Sequence, residues 1–183
     1  MRKWKVIGLL AALALPLASG AISRNPAPAA GAKTLPGGVV DGSADGFVGM
    51  LMITPDADWE AKWKTPSANI PRFTTTQEVG RGGKVYILTF ISNPKLDASG
   101  HANVRCDLDV IRPDGSFSQH EKDLPCYQGK YPAPSTSLAL TALVVEFTGD
   151  PGDPAGKWNV KVRLRDTTRH VEVPLETWFE LKE

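Results

Sequence analysis

Two runs of alternating apolar and polar residues near the C-terminus constrain the fold most strongly. They are "KWNVKVRLRD" (157–166) and "HVEVPLETWFEL" (170–181). Successive side chains of a β-strand point to opposite faces, so each run predicts a strand with one buried face. The short segment between them predicts an antiparallel hairpin, with basic side chains of the first strand opposite glutamates of the second.

Other β-forming runs precede this hairpin and are separated by turn signals. "KVYILTFIS" (84–92) is β-branched and aromatic on both faces, which predicts a central, buried strand. "RPDGS" (112–116) predicts a turn, because proline, aspartate and glycine suit its successive positions. The remaining candidate strands are 47–54, 103–112, 117–124 and 137–147. Short strands separated by turns predict an all-β fold, a β-sandwich of about seven strands.

The closing segments also resemble a known family. "FTGDPGDPAGKWNVKVRLRD" with "HVEVPLETWFELK" is similar to the last strands of immunoglobulin-like domains in exported bacterial proteins, and so is the "RPDGS" turn. The similarity extends from Phe47 to the end of the chain. It implies an immunoglobulin-like β-sandwich over residues 46–183 and a periplasmic or surface location. It implies no reaction, because such folds carry many functions.

Residues 1–21 have the pattern of a secretory signal peptide. A basic start ("MRKWK") is followed by an apolar core ("VIGLLAALALPLA") and an exit of small residues ("SGA"). The apolar core is shorter than the roughly 20 residues of a membrane-spanning helix. We therefore expect cleavage after Gly20 or Ala21 and an exported chain, periplasmic or secreted, without a membrane span. An uncleaved anchor is the alternative.

Residues 22–45 differ in composition from residues 46–183. They are rich in Ala, Pro and Gly and show no apolar periodicity. This composition predicts an extended, flexible linker, with the folded domain starting near Phe47. A strand at "GGVV" is the alternative.

The chain has two cysteines, Cys106 and Cys126. In an exported protein an isolated pair predicts a disulfide bond. The predicted turn at 112–116 folds the chain back and brings Cys126 towards Cys106. A metal or redox pair is the alternative, but the CxxC spacing typical of such sites is missing.

The sequence contains no recognisable catalytic motif, and we expect neither an enzyme nor a cofactor. A GxSxG elbow and an HExxH motif are absent, and "GRGGKV" (80–85) lacks the spacing of a phosphate-binding loop. The net charge of +1 gives no field that would attract nucleic acid.

Several polar residues are of the types that bind metals or act in catalysis. The three histidines, His101, His120 and His170, are far apart in sequence, and a metal site needs at least two of them to converge. Asp107 and Asp109 are a candidate carboxylate pair, but on a strand beside arginines they are better interpreted as surface charge. "GDPGD" (149–153) lacks the full ligand set of a calcium loop and is explained as a tight turn.

Trp59 and Trp63 stand four residues apart in the polar stretch "DADWEAKWKTPS" (56–67). Thr54 as a cap and Pro55 at the first position predict a short helix that places both rings on one face. So short a helix must dock on the domain, and we expect it to plug an open end of the sandwich. An exposed glycan-binding platform is the alternative.

Trp178 lies among glutamates on the polar face of the last strand, and Pro174 suggests that this strand is a sheet edge. An edge strand can accept a strand from another protein. We therefore predict a non-catalytic exported interaction module that binds another envelope or extracellular protein. Packing of Trp178 over neighbouring aliphatic side-chain stems is the alternative for this residue. A carbohydrate- or polymer-binding module that uses exposed aromatic residues, with Trp59 and Trp63 as its platform, is the alternative function.

Overall fold

The computed structural model describes residues 30–34, 36–65 and 72–183. The predicted signal peptide (1–21) and residues 22–29 of the predicted linker lie outside these ranges. The described elements include one short helix, α1 (Trp59–Trp63), and a 3₁₀ turn at Pro36–Gly38. The strands are β1 (Ala30–Thr34), β2 (Val40–Ala44), β3 (Phe47–Thr54), β4 (Glu78–Val79), β5 (Lys84–Ser92), β6 (His101–Ile111), β7 (Phe117–Lys130), β8 (Ala139–Thr148), β9 (Gly156–Asp166) and β10 (Val171–Leu181).

The strands form two five-stranded sheets. The first has the order β1-β2-β3-β5-β8, and the second has the order β4-β10-β9-β6-β7. The ladders are antiparallel except for the short parallel pairing of β4 with β10. The prediction of a mostly β fold with one short helix is therefore confirmed. The predicted strands correspond to β3 and β5 to β10. The additional strands are β1, β4 and β2, of which β2 overlaps the alternative strand at "GGVV".

The main core lies between the two sheets. Alternation along β9 and β10 buries one face of each strand, as the sequence pattern predicted. Phe147 of the first sheet packs against Trp158 and Phe179 of the second, with ring centroids 5.0 and 4.6 Å apart. Burial of such large apolar side chains is the main favourable contribution to folding.

Strand β5 of the first sheet is buried on both faces. Ile87 of β5 belongs to the core between the sheets, whereas Leu88 and Phe90 belong to a second apolar cluster on the outer face. The prediction that β5 is central and buried is thus confirmed. The outer cluster needs a cover of its own, and α1 supplies part of it.

The expected linker is wrong for residues 30–44. β1 and β2 form an antiparallel pair, and β2 continues the first sheet beside β3. Val40 is buried in the main core, and glycine at position 42 lets β2 approach Val173 and Leu175 of β10. Small residues here serve close packing, which composition alone cannot distinguish from flexibility.

Cys106 and Cys126 form a disulfide bond, as predicted. The bond joins the neighbouring strands β6 and β7, its Cα atoms are 5.9 Å apart, and both residues are buried. Their separation of 20 residues corresponds to about 3 kcal/mol of stabilisation in the chain-entropy description.

Candidate interaction surface

The outer face of the second sheet carries columns of charged side chains. The face of β10 opposite the core presents glutamates, and the same face of β9 presents lysines and arginines. Lys161 and Glu176 are direct cross-strand partners, with 3.4 Å between nitrogen and oxygen. Arg163 and Glu172 are 3.9 Å apart. Exposed pairs of this kind stabilise a fold by well under about 1 kcal/mol each, so the charges are available for contacts with other molecules.

Trp178 lies on this charged face and is half-buried. The ammonium group of Lys157 lies 4.9 Å from the centre of its ring, within the range of a cation–π contact. The side-chain amide of Gln77 donates to the backbone carbonyl of Trp178 at 3.5 Å. The ring is therefore partly covered by the Lys157 side chain, and the backbone beside it is held by Gln77.

The strand that carries Trp178 has a partly free edge. β4 pairs with Glu180 and Leu181, and the backbone N–H of Glu180 donates to Gln77. Pro174 and Glu180 are an even number of residues apart, so their backbone nitrogens point to the same side of β10, away from β9. The N–H group that proline lacks is therefore not needed for the pairing of β10 with β9. Among the described residues, no strand pairs with the outer edge of β10 between Val171 and Phe179.

Sequence reasoning missed the residues that complete this face. Trp178 opposes Asn159, Asn159 opposes Ile111, and Ile111 opposes Phe117. Phe117 is 53% exposed, and its ring centroid lies 4.7 Å from that of His120. A row of side chains with an aromatic residue at each end thus crosses four strands. The signal available in the sequence was a large apolar residue, Phe117, directly after the predicted "RPDGS" turn.

Asp107 and Asp109 are held separately by different partners. Asp107 accepts a hydrogen bond from Arg165 at 2.8 Å and one from the backbone of Asp123 at 2.9 Å. Burial alone would raise the pKa of Asp107, but these hydrogen bonds outweigh it and hold the pKa below its ordinary value. Asp109 lies 2.7 Å from Nδ1 of His120 and 3.4 Å from Lys122. The two carboxylates act as strand-to-strand contacts. The interpretation of Asp107 as surface charge is wrong, because this side chain is buried beside Arg165, whereas Asp109 is partly exposed.

The three histidines occupy different sites. His120 contacts Asp109, His101 lies 3.7 Å from Asp97, and His170 follows the hairpin turn with a φ of 61°. In the described ranges, no group of three or more His, Cys, Asp or Glu residues is placed where it could hold a metal ion.

The "GDPGD" segment is stabilised by contacts within the fold. The guanidinium of Arg81 donates to the carbonyl oxygens of Asp150 and Asp153, at 3.0 and 2.6 Å. The carboxylate of Asp153 accepts a hydrogen bond from the backbone N–H of Asp150 at 3.2 Å. These contacts account for a tight turn.

Trp59 and Trp63 lie on the outer face of the first sheet. Trp59 packs against Tyr86 with ring centroids 6.2 Å apart, and Trp63 packs against Phe90 at 5.2 Å. Both tryptophans are half-buried and tilted against these rings. The predicted plug at an open end of the sandwich is wrong in location, because the helix covers the second apolar cluster instead.

The start of α1 also differs from the prediction. The helix begins at Trp59 with Asp58 as its N-cap residue, and Thr54 is the last residue of β3. The Thr54 hydroxyl accepts a hydrogen bond from the backbone N–H of Asp56 at 3.1 Å. Asp56 in turn pairs with Lys62 at 2.8 Å and accepts the N–H of Thr74 at 2.8 Å, which ties the helix to the segment after it.

Comparisons with known proteins give little further information. No protein-family model and no curated protein matches the chain. A family 123 glycoside hydrolase from Clostridium perfringens is 10% identical with a TM-score of 0.41, over 74% of this chain and 27% of that one. A Niemann-Pick type C2 protein from the Japanese carpenter ant is 12% identical with a TM-score of 0.31, over 57% and 79% of the two chains.

An alkylpurine DNA glycosylase, AlkC, from Pseudomonas fluorescens is 11% identical with a TM-score of 0.35, over 58% of this chain and 28% of that one. The chain thus matches about a quarter of the length of the glycoside hydrolase and of the DNA glycosylase. In the described part of this chain, no helix is long and apolar enough to cross a membrane. At these low similarities, the functions of the three proteins are not transferred to this chain.

Proposed function

We propose that this protein is a non-catalytic, exported interaction module that binds another envelope or extracellular protein. The contact forms along the free edge of β10, beside Trp178. The observation that carries this proposal is the edge of β10 between Val171 and Thr177, which pairs with no other strand among the described residues and is followed by the half-buried Trp178.

The edge is suited to a partner strand of limited length. Backbone N–H and C=O groups along an unpaired edge can bond to an added strand, while nearby side chains provide specificity. Pro174 interrupts the row of donors, and the Gln77 amide already occupies the backbone carbonyl of Trp178. An added strand would therefore pair with the backbone groups around Glu176. Tryptophan is frequent among the residues that dominate binding at protein interfaces.

An immunoglobulin-like β-sandwich is the fold we propose for the domain. The two five-stranded sheets and the core between them support this proposal. The disulfide differs from that of antibody domains, because Cys106–Cys126 joins neighbouring strands of one sheet, whereas the antibody disulfide joins the two sheets.

Export is proposed from the signal-peptide pattern of residues 1–21. Cell fractionation and N-terminal sequencing test it. We expect a mature protein outside the cytoplasm that begins near Ala21 or Ile22. An intact Met1 on a cytoplasmic protein would contradict export.

Affinity capture from the native envelope tests the binding role. We expect wild-type protein to retain a partner protein and Trp178→Ala to lose most of it. Leu138→Ala is the matched control, because it removes an apolar side chain that is 43% exposed and lies in another part of the fold. Equal capture by all three proteins would contradict the proposed site. Loss of binding to soluble glycans instead of a protein would support the carbohydrate-binding alternative.

A further inference from the structure

The charges on the outer face of the second sheet alternate from strand to strand. The column on β10 is acidic, the column on β9 is basic, the part of β6 beside them is acidic, and the start of β7 is basic. Over five residues along the strands, the outward charged side chains, in that strand order, are Glu176, then Lys161 and Arg163, then Asp107 and Asp109, then His120 and Lys122. The alternation ends at the next level, where Glu172 lies beside Arg165 of β9 and Arg105 of β6, which are both basic.

An uncharged row borders these columns at one end. It consists of Trp178, Asn159, Ile111 and Phe117, which are paired side by side across β10, β9, β6 and β7. The large aromatic side chains lie at its two ends. The face therefore has two matching halves, since acidic β10 and basic β9 are followed by acidic β6 and basic β7.

We infer that this face binds the same face of a second copy of the protein. The two-fold axis runs parallel to the strands, between β9 and β6. This rotation places Trp178 opposite the partner's Phe117 and Lys161 opposite the partner's Asp109. The acidic β10 column then faces the basic residues of the partner's β7.

The order of the charges selects this axis. A two-fold axis across the strands would place every strand opposite its own copy. Lys161 and Arg163 would then face the partner's basic β9 column, and like charges in contact oppose association. Of these two axes, the one parallel to the strands places Lys161 and Arg163 opposite the partner's Asp109 and Asp107 and brings the two aromatic ends together. It also brings Arg165 towards the partner's Arg105, but both arginines already pair with carboxylates of their own chain.

The size of the face predicts a weak complex. Strand spacings of about 4.8 Å give roughly 14 Å across the four strands, and five residues give a similar length along them. A face of a few hundred Å² is well below the roughly 800 Å² per partner of a standard stable interface. The dimer is therefore transient, and added salt weakens it because it depends on exposed charges.

Crosslinking between engineered cysteines tests this arrangement. Glu176→Cys and His120→Cys replace exposed residues in β10 and β7, while the native cysteines remain in their buried disulfide. In the proposed dimer, position 176 faces position 120 of the second copy, whereas the two copies of position 176 are separated sideways by about 14 Å. A short bis-maleimide should therefore link a mixture of the two variants.

The expected result is a crosslinked dimer in the mixture and none in either variant alone. A mixture of His120→Cys with Glu60→Cys measures random collisions, because Glu60 lies on α1 at the first sheet. Crosslinking of Glu176→Cys with itself, or a yield no higher than the collision background, would overturn the proposal.

A charge reversal provides an independent test. Lys161→Glu should abolish the crosslink, because position 161 then repels the partner's Asp109. Lys84→Glu is the matched control, since Lys84 is similarly exposed and also pairs with a glutamate, but lies on the first sheet. Equal loss in both variants, or loss in neither, would contradict the arrangement.

The dimer and the proposed function can fail separately. Crosslinking uses the purified protein alone, so it does not depend on an envelope partner. Face-to-face packing leaves the backbone edge of β10 open but covers Trp178, so the dimer and the partner protein compete for this ring. Lys161→Glu removes the dimer and leaves Trp178 exposed, and it should therefore retain capture of the partner protein. Loss of capture with Lys161→Glu would show that Lys161 serves the partner protein and would contradict its assignment to the dimer.

Discussion

Asp107 and Arg165 form an ion pair between neighbouring strands of the second sheet, with 2.8 Å between Oδ2 and the guanidinium nitrogen. Both side chains are mostly buried, at 12% and 24% exposure. Arg165 also contacts Asp123, which pairs with Arg105, so four charged groups join β6, β7 and β9 beside the disulfide.

We expect Asp107→Asn to lower the free energy of unfolding by about 1–3 kcal/mol at pH 7, because it weakens a charged hydrogen bond. The folded-state pKa of Asp107 is lowered, so its contribution is present above the unfolded-state pKa of about 3.9. It disappears as the pH falls through the lower, folded-state pKa.

Urea unfolding of wild type and variant at pH 7 and at about pH 2 measures this difference. The gap between the two proteins should shrink in acid. Glu176→Gln is the control, because its exposed pair with Lys161 contributes little. An equal gap at both pH values would show that Asp107 acts through packing alone.

The cover of the first sheet gives a second prediction. Trp59→Ala and Trp63→Ala should each lower the free energy of unfolding by about 1–3 kcal/mol, since each ring is half-buried against an aromatic residue of β5. Thermal unfolding should show losses of several degrees, with Lys64→Ala as an exposed control from the same segment. Variants with an unchanged melting temperature but impaired glycan binding would favour the platform.

The close approach of the sheets at Gly49 gives a third prediction. A Cβ atom at this position would lie 2.5 Å from a methyl carbon of Leu164 and 3.2 Å from one of Leu175. Both leucines are buried and cannot move freely, so Gly49→Ala should destabilise the protein by about 1–3 kcal/mol.

Gly152→Ala is the matched control, because nothing lies within 4 Å of the added atom. Denaturant unfolding of the two variants measures the difference. Equal stability of the two variants would contradict the packing of β3 against the second sheet.

The sequence was most informative where burial repeats with the period of a strand. The alternation in β9 and β10 predicted both the buried face and the opposing charges that are found in the hairpin. The pairing of β1 with β2 was missed because the glycine- and alanine-rich sequence there leaves no apolar pattern, and the close approach at Gly42 to Val173 and Leu175 of β10 is visible only in the structure.

The candidate surface was less predictable. Trp178 could be placed on a polar face because it occupies a polar position in the alternating pattern of the last strand. Its neighbours Asn159, Ile111 and Phe117 come from three other strands, and their positions depend on the register and order of those strands. The location of Trp59 and Trp63 likewise depends on which face of the first sheet is left open, which no local pattern specifies.

Photo-crosslinking at the edge of β10 tests the proposed binding role most directly. A photoreactive residue in place of Pro174 lies at the exposed edge, and one in place of Ala142 lies at an exposed position of β8 in the first sheet. In cells that make the protein, we expect a protein adduct from position 174 that is lost with Trp178→Ala, and none from position 142. No adduct from position 174, or one that is unchanged by Trp178→Ala, would contradict binding at this edge.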